Sequence, residues 1–345
     1  MKDSIERDLS LTFARKGRGC LGQYAYMDSG AALFSRFQLH RDYTPFHEEQ
    51  KLFTENADAI ASEIQDTNHL VIVGQGPWQS IQAKELKLID RLGTLEKLDL
   101  IDISDIYNQD ATSRLNAHFR NAGRKVEVQS HKADFVSEEA LAAIRSDDLQ
   151  STVICTGATF TNPVNASLEG FSALKLSTSL NALAQMAGPG GNVIITYDGN
   201  GDRLVLGRAY NSGTLEEFYL DGLRNALREC KSIQGLDPDD VQDIFEMTQR
   251  WYPDLQEYAH KLRIKENADP IHITIKNEWI DIDNLPLHPL EEFTMMSCIK
   301  PDSRLISELG NSRGMTTRFK ISGQHENTIH VFKNDYVESP APSAS

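Results

Sequence analysis

The chain has 345 residues, 40% of them hydrophobic, enough for one large or two smaller cores. Its 50 acidic against 35 basic residues give a formal charge of −15, which argues against a nucleic-acid partner because phosphate binding needs a basic surface. No apolar run is long enough for a membrane span.

Strand and helix signals alternate from 70 to 198. The run Leu70-Val71-Ile72-Val73 reads as a buried parallel strand, and Gly74-Gln75-Gly76 as the tight turn after it. A helix is expected over 80–92, ending near Gly93, then a strand over 98–101 that ends in Asp102. A helix over 105–119 and a strand over 125–129 follow. Ser137 with Glu138 and Glu139 reads as a helix start, acids being favoured at the positive helix end. A strand over 152–155 and a helix over 172–187 come next. Gly188-Pro189-Gly190-Gly191 breaks that helix before a strand over 192–196. Such alternation predicts a parallel sheet covered on both faces. Residues 210–265, rich in Leu, Glu and aromatics, read as mostly helical. Ile271-His272-Ile273-Thr274-Ile275 alternates as a strand, and 317–322 with 328–333 reads as an antiparallel hairpin. The Pro, Ser and Ala of 335–345 predict a disordered tail.

Gly74 and Gly76 followed by an acid at the next strand end form the strongest chemical pattern. A dinucleotide fingerprint wants a third small residue three positions after the second glycine, but Gln79 stands there. The carboxylate of Asp102 could accept from both ribose hydroxyls of an adenosine. The combination suits S-adenosylmethionine (SAM) better than NAD; an ordinary βα turn remains the plain alternative. Asp134-Phe135, after the third strand, could meet an adenine amino group and ring, or be a solvated loop acid. The polar loop Thr156 to Pro163, with Asn162, lies where the carboxyl edge of the sheet would be, a candidate substrate holder or simply a turn. The ten histidines show no H-x-x-x-H or H-E-x-x-H spacing, so no metal site is expected. Cys20, Cys155, Cys230 and Cys298 form no C-x-x-C pair. With the charged start Met1-Lys2-Asp3-Ser4, they predict a cytoplasmic protein.

Several segments, in order from about 24 to 333, resemble the histidine-specific Nα-methyltransferase family of ergothioneine synthesis. Tyr26-Met27-Asp28-Ser29-Gly30-Ala31-Ala32-Leu33-Phe34 is similar to the family's Y-D-x-x-G-S-x-L-F segment. Asp42-Tyr43-Thr44-Pro45 followed by Glu49 resembles E-Y-Y-P-T-R-x-E, and Gly157 to Asn162 resembles G-S-T-I-G-N. Arg208-Ala209-Tyr210 after Asp198, then Phe218, Leu223 and Asn225, and Ser297-Cys298 with Lys300, resemble later elements. The resemblance implies that Tyr26, Tyr43, Asn162 and Tyr210 line an amino-acid site. Asn162 and Tyr210 would clamp the amine and carboxylate end, and Ser297 would face the side chain. It implies that Gly74, Lys84, Asp102, Asp134 and Phe135 hold SAM, although the segment from Gly76 to Lys84 is longer than the family's.

Two departures concern the substrate. The glutamate that meets the histidine imidazole in the family is Met295 here, and a family methionine near the ring is Ile273. A buried imidazole N–H without an acceptor costs about 1–3 kcal/mol, and a thioether is a weak acceptor. Phe46-His47 also replaces the family's T-R. The reading is therefore an α/β, Rossmann-like SAM-dependent methyltransferase with a second α+β substrate domain. The SAM domain is expected over 50–198 plus 298–334 and the substrate domain over 1–49 plus 199–297. The substrate is expected to be a small-molecule amine, an amino acid or derivative other than histidine, methylated on nitrogen by a monomer or weak dimer. Tyr26 or a water is expected to take the amine proton. Ring-nitrogen methylation of a histidine or thiohistidine, a non-amino-acid amine, an NAD-linked oxidoreductase and a non-catalytic SAM binder stand as alternatives.

Overall fold

The computed structural model describes residues 2–14, 21–27, 29–144, 151–162 and 172–335. Cys20, Asp28, Pro163 and all but the first residue of the 335–345 tail lie outside them. The strands in chain order are β1 (His69–Val73), β2 (Lys97–Asp102), β3 (Glu127–Lys132), β4 (Ser151–Cys155), β5 (Asn192–Asp198), β6 (Ile233–Gln234), β7 (Phe245–Tyr252), β8 (Glu257–Ile264), β9 (Ile271–Lys276), β10 (Asp281–Leu287), β11 (Glu292–Ile299), β12 (Met315–Ser322) and β13 (Asn327–Asn334). The chain divides into two compact units. One comprises Met1–Thr44, Asn162–Lys175 and Gly201–Lys300, and the other Pro45–Thr161, Leu176–Asn200 and Pro301–Ser345.

The second unit is built on a seven-stranded sheet of order β12-β13-β5-β4-β1-β2-β3. β1 pairs in parallel with β2 and β4, β13 runs antiparallel to β5, and β12 closes the edge as its hairpin partner. Every residue of β1 is buried, as expected of a strand covered on both faces. Phe53, Ala57, Ile60 and Ile64 form one stripe of the helix Thr44–Glu63 and its end, and Ala111, Leu115 and Phe119 one stripe of Asp105–Asn121. Both stripes join a core with Leu70, Ile72, Leu98 and Leu100. Burying each such side chain is worth about 1.5–3 kcal/mol. The strand order reverses about β1, between β2 and β4, so the loops after β1 and β4 flank the switch point where open α/β sheets bind ligands.

The first unit holds two antiparallel sheets, β10-β9-β6 and β11-β8-β7, and the helices Lys2–Ala14, Gly30–Gln38, Arg203–Tyr210 and Gly213–Glu229. A Cβ on Gly222 would lie 2.6 Å from Ala25 Cα, so this glycine lets the turn Gly22–Tyr26 lie directly on the long helix.

Three expectations need correction. Residues 245–264 are not helical but form the β7–β8 hairpin, paired from Phe245↔Ile264 to Tyr252↔Glu257. A period of two was present in Tyr258, His260, Leu262 and Ile264, all buried, but Leu- and Glu-rich composition masked it. Pro253 and the left-handed Gln256 (φ 49°) make the turn. The helix expected over 80–92 is two short helices, Trp78–Ala83 and Glu85–Ile89, broken at Lys84 (φ −127°, ψ −82°). β3 starts at Glu127 and runs to Lys132, because its register is set by pairing Lys97↔Glu127 and Asp102↔Lys132. The helix start at Ser137 is observed: its Oγ accepts from Ala140 N at 3.2 Å.

Candidate active site

Gly74 and Gly76 follow β1 with φ of +61° and +62°, left-handed values that favour glycine. A Cβ on Gly74 would also lie 2.3 Å from Thr159 Oγ1. The bare glycine thus lets the loop after β4 close onto the loop after β1. At the end of β2, Asp102 accepts from Gly76 N at 3.1 Å and from Ser104 N at 2.8 Å. A carboxylate has about four acceptor sites, so capacity for ribose hydroxyls remains. Burial raises its pKa to about 6, outweighing the backbone N–H bonds from Ser104 and Gly76 that lower it. Gln75 Oε1 and Ser104 Oγ are buried with no hydrogen-bond partner among the described residues. Such orphaned polar atoms beside a ribose-type acid fit a nucleoside ligand.

Asn108 was not singled out from the sequence. Its Oδ1 accepts from Gln75 Nε2 at 2.7 Å, and its Nδ2 donates to the carbonyls of Asp102 at 3.1 Å and His131 at 3.2 Å. One amide therefore ties together the loop after β1 and the ends of β2 and β3. Asp134 follows β3; Val136 N donates to its Oδ1 at 3.2 Å, and burial raises its pKa. Phe135 beside it is buried.

Lys84 lies in a buried polar cluster. Its Nζ donates to Glu49 Oε2 at 2.8 Å and to Thr156 Oγ1 at 2.9 Å. Burial opposes its charge, but Glu49 and Glu85 more than compensate and its pKa is raised. Glu49 Oε1 accepts from Gly157 N at 2.6 Å and from the Thr196 hydroxyl. Thr156 donates to Glu85, whose pKa burial pushes up. A charged framework thus holds the backbone of the loop after β4. Glu49 stood in the motif after Pro45, but nothing local showed where its carboxylate would go.

In the first unit, Asp202 caps the helix Arg203–Tyr210, accepting from Leu204 N at 2.7 Å. Tyr210 ends that helix. Its ring lies 5.7 Å from Tyr43, 5.2 Å from Tyr258 and 4.9 Å from His260. Lys300 Nζ donates to Tyr210 Oη at 2.9 Å. Burial, with the nearby Lys300, lowers the His260 pKa to about 3, so this imidazole is neutral. Burial and Tyr210 hold the Tyr43 pKa well above normal. Tyr26 packs edge-on to Phe34 and Phe218, each at 5.1 Å. Asn162 is half-buried, and its Oδ1 has no partner among the described residues.

Met295 is the extra residue of a bulge in β11, between Thr294↔Lys261 and Met296↔His260. It is buried, and its carbonyl accepts from Leu21 N at 3.1 Å. Ser297 pairs with Ala259, so alternation puts it on the opposite sheet face from Cys298. Ile273 is buried on β9, in the other three-stranded sheet from Met295 and Ser297. The structure thus brings Tyr43 and Tyr210 together and keeps Ile273 on a separate sheet.

A model of the SAM-dependent, histidine-specific methyltransferases matches residues 5–318. The chain belongs to this family. It is a SAM-dependent methyltransferase, and the nicotinamide alternative falls. No curated protein matches in sequence. Among solved structures, the chain is similar to CalS10, an amino pentose methyltransferase from Micromonospora echinaspora, at 10% identity and a TM-score of 0.38, covering 81% of this chain and 91% of that one. It is similar to the CcbJ methyltransferase from Streptomyces caelestis at 12% identity and 0.40, covering 84% and 95%. It is likewise similar to the N-methyltransferase NodS from Bradyrhizobium japonicum WM9 at 10% and 0.38, covering 84% and 97%. Among the described residues no helix is long and apolar enough to cross a membrane, and no group of three or more His, Cys, Asp or Glu could hold a metal.

Proposed function

We propose that this methyltransferase acts on the nitrogen of a small amino acid or close derivative, with histidine a poor acceptor. What supports the specificity is Met295, which is buried and stands in the segment that resembles the family's imidazole-binding glutamate segment. Met295 would offer an apolar surface, and sulfur packs favourably on an aromatic ring; Ile273, on the other three-stranded sheet, is not part of it. The sheet-bearing unit would hold SAM. Gly74 and Gly76 would let the backbone approach, Asp102 accept from the ribose, and Asp134 and Phe135 meet the adenine. Lys84 acts behind them through Glu49 and the Gly157 loop. The other unit would hold the acceptor. Asn162 and Tyr210 would clamp the amino-acid end, Tyr43 would wall it, and Ser297 would face the side chain.

Bound SAM would supply a sulfonium methyl to the lone pair of the acceptor nitrogen, its C–S bond breaking to release S-adenosylhomocysteine. The amine must first lose a proton, which Tyr26 or a water receives. Positioning of the acceptor nitrogen by these residues would supply most of the rate. Cys155 and Cys230 are buried thiols outside any disulfide, which supports a reading in the reducing cytoplasm. The test is incubation of the twenty amino acids with SAM and mass analysis. A product from an apolar or aromatic amino acid supports the reading; histidine as the preferred substrate refutes its specificity part.

A further inference from the structure

His260 was not singled out from the sequence. It lies on β8 and is 1% exposed, yet its Nδ1 has no hydrogen-bond partner among the described residues. The rings of Tyr210, Tyr219 and Tyr258 pack around it at 4.9, 5.2 and 5.5 Å. Burial keeps the imidazole neutral, and a neutral imidazole still brings one donor and one acceptor nitrogen. Leaving such an atom unpaired in the interior costs free energy. A phenylalanine would fill the same aromatic cluster without that cost. The register of the strands suggests what the nitrogen is for. The bulge in β11 puts Met295 between the pairs Thr294↔Lys261 and Met296↔His260. Met295 stands in the segment that resembles the family's imidazole-binding glutamate segment. The polar group missing at 295 is thus matched by a polar group at the adjoining register position of β8.

We infer that His260 is a specificity-determining residue whose Nδ1 meets the polar end of the acceptor's side chain, and that this end is a neutral hydroxyl such as a phenol. A hydroxyl both donates and accepts, so it pairs with either tautomer of the imidazole. Three tyrosine rings around the nitrogen suit a flat aromatic group carrying that hydroxyl. This rests on the reading above that the acceptor is a small amino acid or close derivative held by this unit.

The test uses the full chain with saturating SAM and two pairs of acceptors that differ by one hydroxyl: tyrosine with phenylalanine, and 5-hydroxytryptophan with tryptophan. In the wild type, kcat/KM should favour the hydroxylated member by about five- to a hundredfold, mainly through KM. His260→Phe keeps a ring in the cluster but removes the nitrogen, and should bring the ratio close to one. His260→Asn, whose amide keeps polar atoms near the place of Nδ1, should retain part of it. A purely structural histidine would affect both members of a pair alike and leave the ratio unmoved. An unchanged ratio in a His260→Phe protein that binds S-adenosylhomocysteine normally overturns the proposal and means that Nδ1 holds a buried water only. So does a wild type without preference for the hydroxylated members. If His260→Phe does not fold, His260→Met decides by the same ratio. If the wild type methylates none of the four, the functional reading has failed. Thermal shifts with S-adenosylhomocysteine present then judge His260 separately. Greater stabilisation by the hydroxylated members, lost in the variant, upholds the site, and equal shifts or none overturn it.

Discussion

Removing the Glu49 carboxylate should be among the most damaging single changes in the sheet-bearing unit. The Glu49 and Lys84 side chains are 6% and 4% exposed, and their ion pair spans 2.8 Å. Breaking a buried pair by deleting one partner costs about 3–5 kcal/mol, because the remaining charge is left uncompensated. Glu49→Ala also takes the acceptor from Gly157 N and from Thr196. These losses share one carboxylate, so about 3–5 kcal/mol is the expected total rather than a sum of separate bonds. For a unit of this size that is a fall in Tm of about 6–20 °C. Glu49→Gln keeps one acceptor oxygen and should cost less. Adding Lys84→Met to Glu49→Gln should recover little, because Glu85, fully buried and 3.9 Å from Lys84, then loses its own counter-ion. Urea unfolding of the four proteins, with affinity for S-adenosylhomocysteine, measures this. The loop after β4 should loosen with Glu49→Ala and turnover should fall more than cofactor affinity. A cost for Glu49→Ala under about 1 kcal/mol would refute the buried-pair reasoning.

Asp102 gives a pH prediction. Its folded pKa of about 6 lies above the ordinary 3.8, so its contribution to stability of the free protein is present below about pH 4 and lost as pH rises through 6. That contribution is at most about 3 kcal/mol. Binding of S-adenosylhomocysteine uses the ionised form and should be up to about tenfold weaker at pH 5 than at pH 7.5; Asp102→Asn should remove most of that dependence, and a flat wild-type calorimetric profile would count against the ribose role. Gly74→Ala forces a left-handed φ on alanine, about 1–2 kcal/mol, and pushes Thr159 away. Cofactor affinity should drop measurably by calorimetry, and an unaltered affinity would deny the close approach of the two loops. Met295→Glu should shift competition among histidine, tryptophan, tyrosine and phenylalanine toward histidine, read by product mass; no shift would mean that Met295 does not face the acceptor's side chain.

Much of the sheet-bearing unit was legible locally. Apolar strands closed by Gly74 and Gly76, an acid ending the next strand, and Ser137 before two glutamates are short-range signals, because backbone φ and helix capping depend on near neighbours. The Tyr43 and Tyr210 pairing was legible only through resemblance. The β7–β8 hairpin was missed because its alternation competes with helix-favouring composition, and cross-strand partners decide the outcome. Asn108 read as one polar residue in a helix, and Lys300 as a lysine after an apolar strand.

The sequence by itself determined the parallel sheet, the turn after β1 and the carboxylate at the tip of β2. Each is a property of one residue or of a short periodic run. Tertiary structure alone decided that Lys84 breaks a helix to meet Glu49 and Thr156, 35 and 72 positions away in the chain, and that Lys300 donates to Tyr210 across 90. Burying an ammonium is tolerable only beside groups that stabilise its charge, and chain separation says nothing about which groups those are until the fold has brought them together.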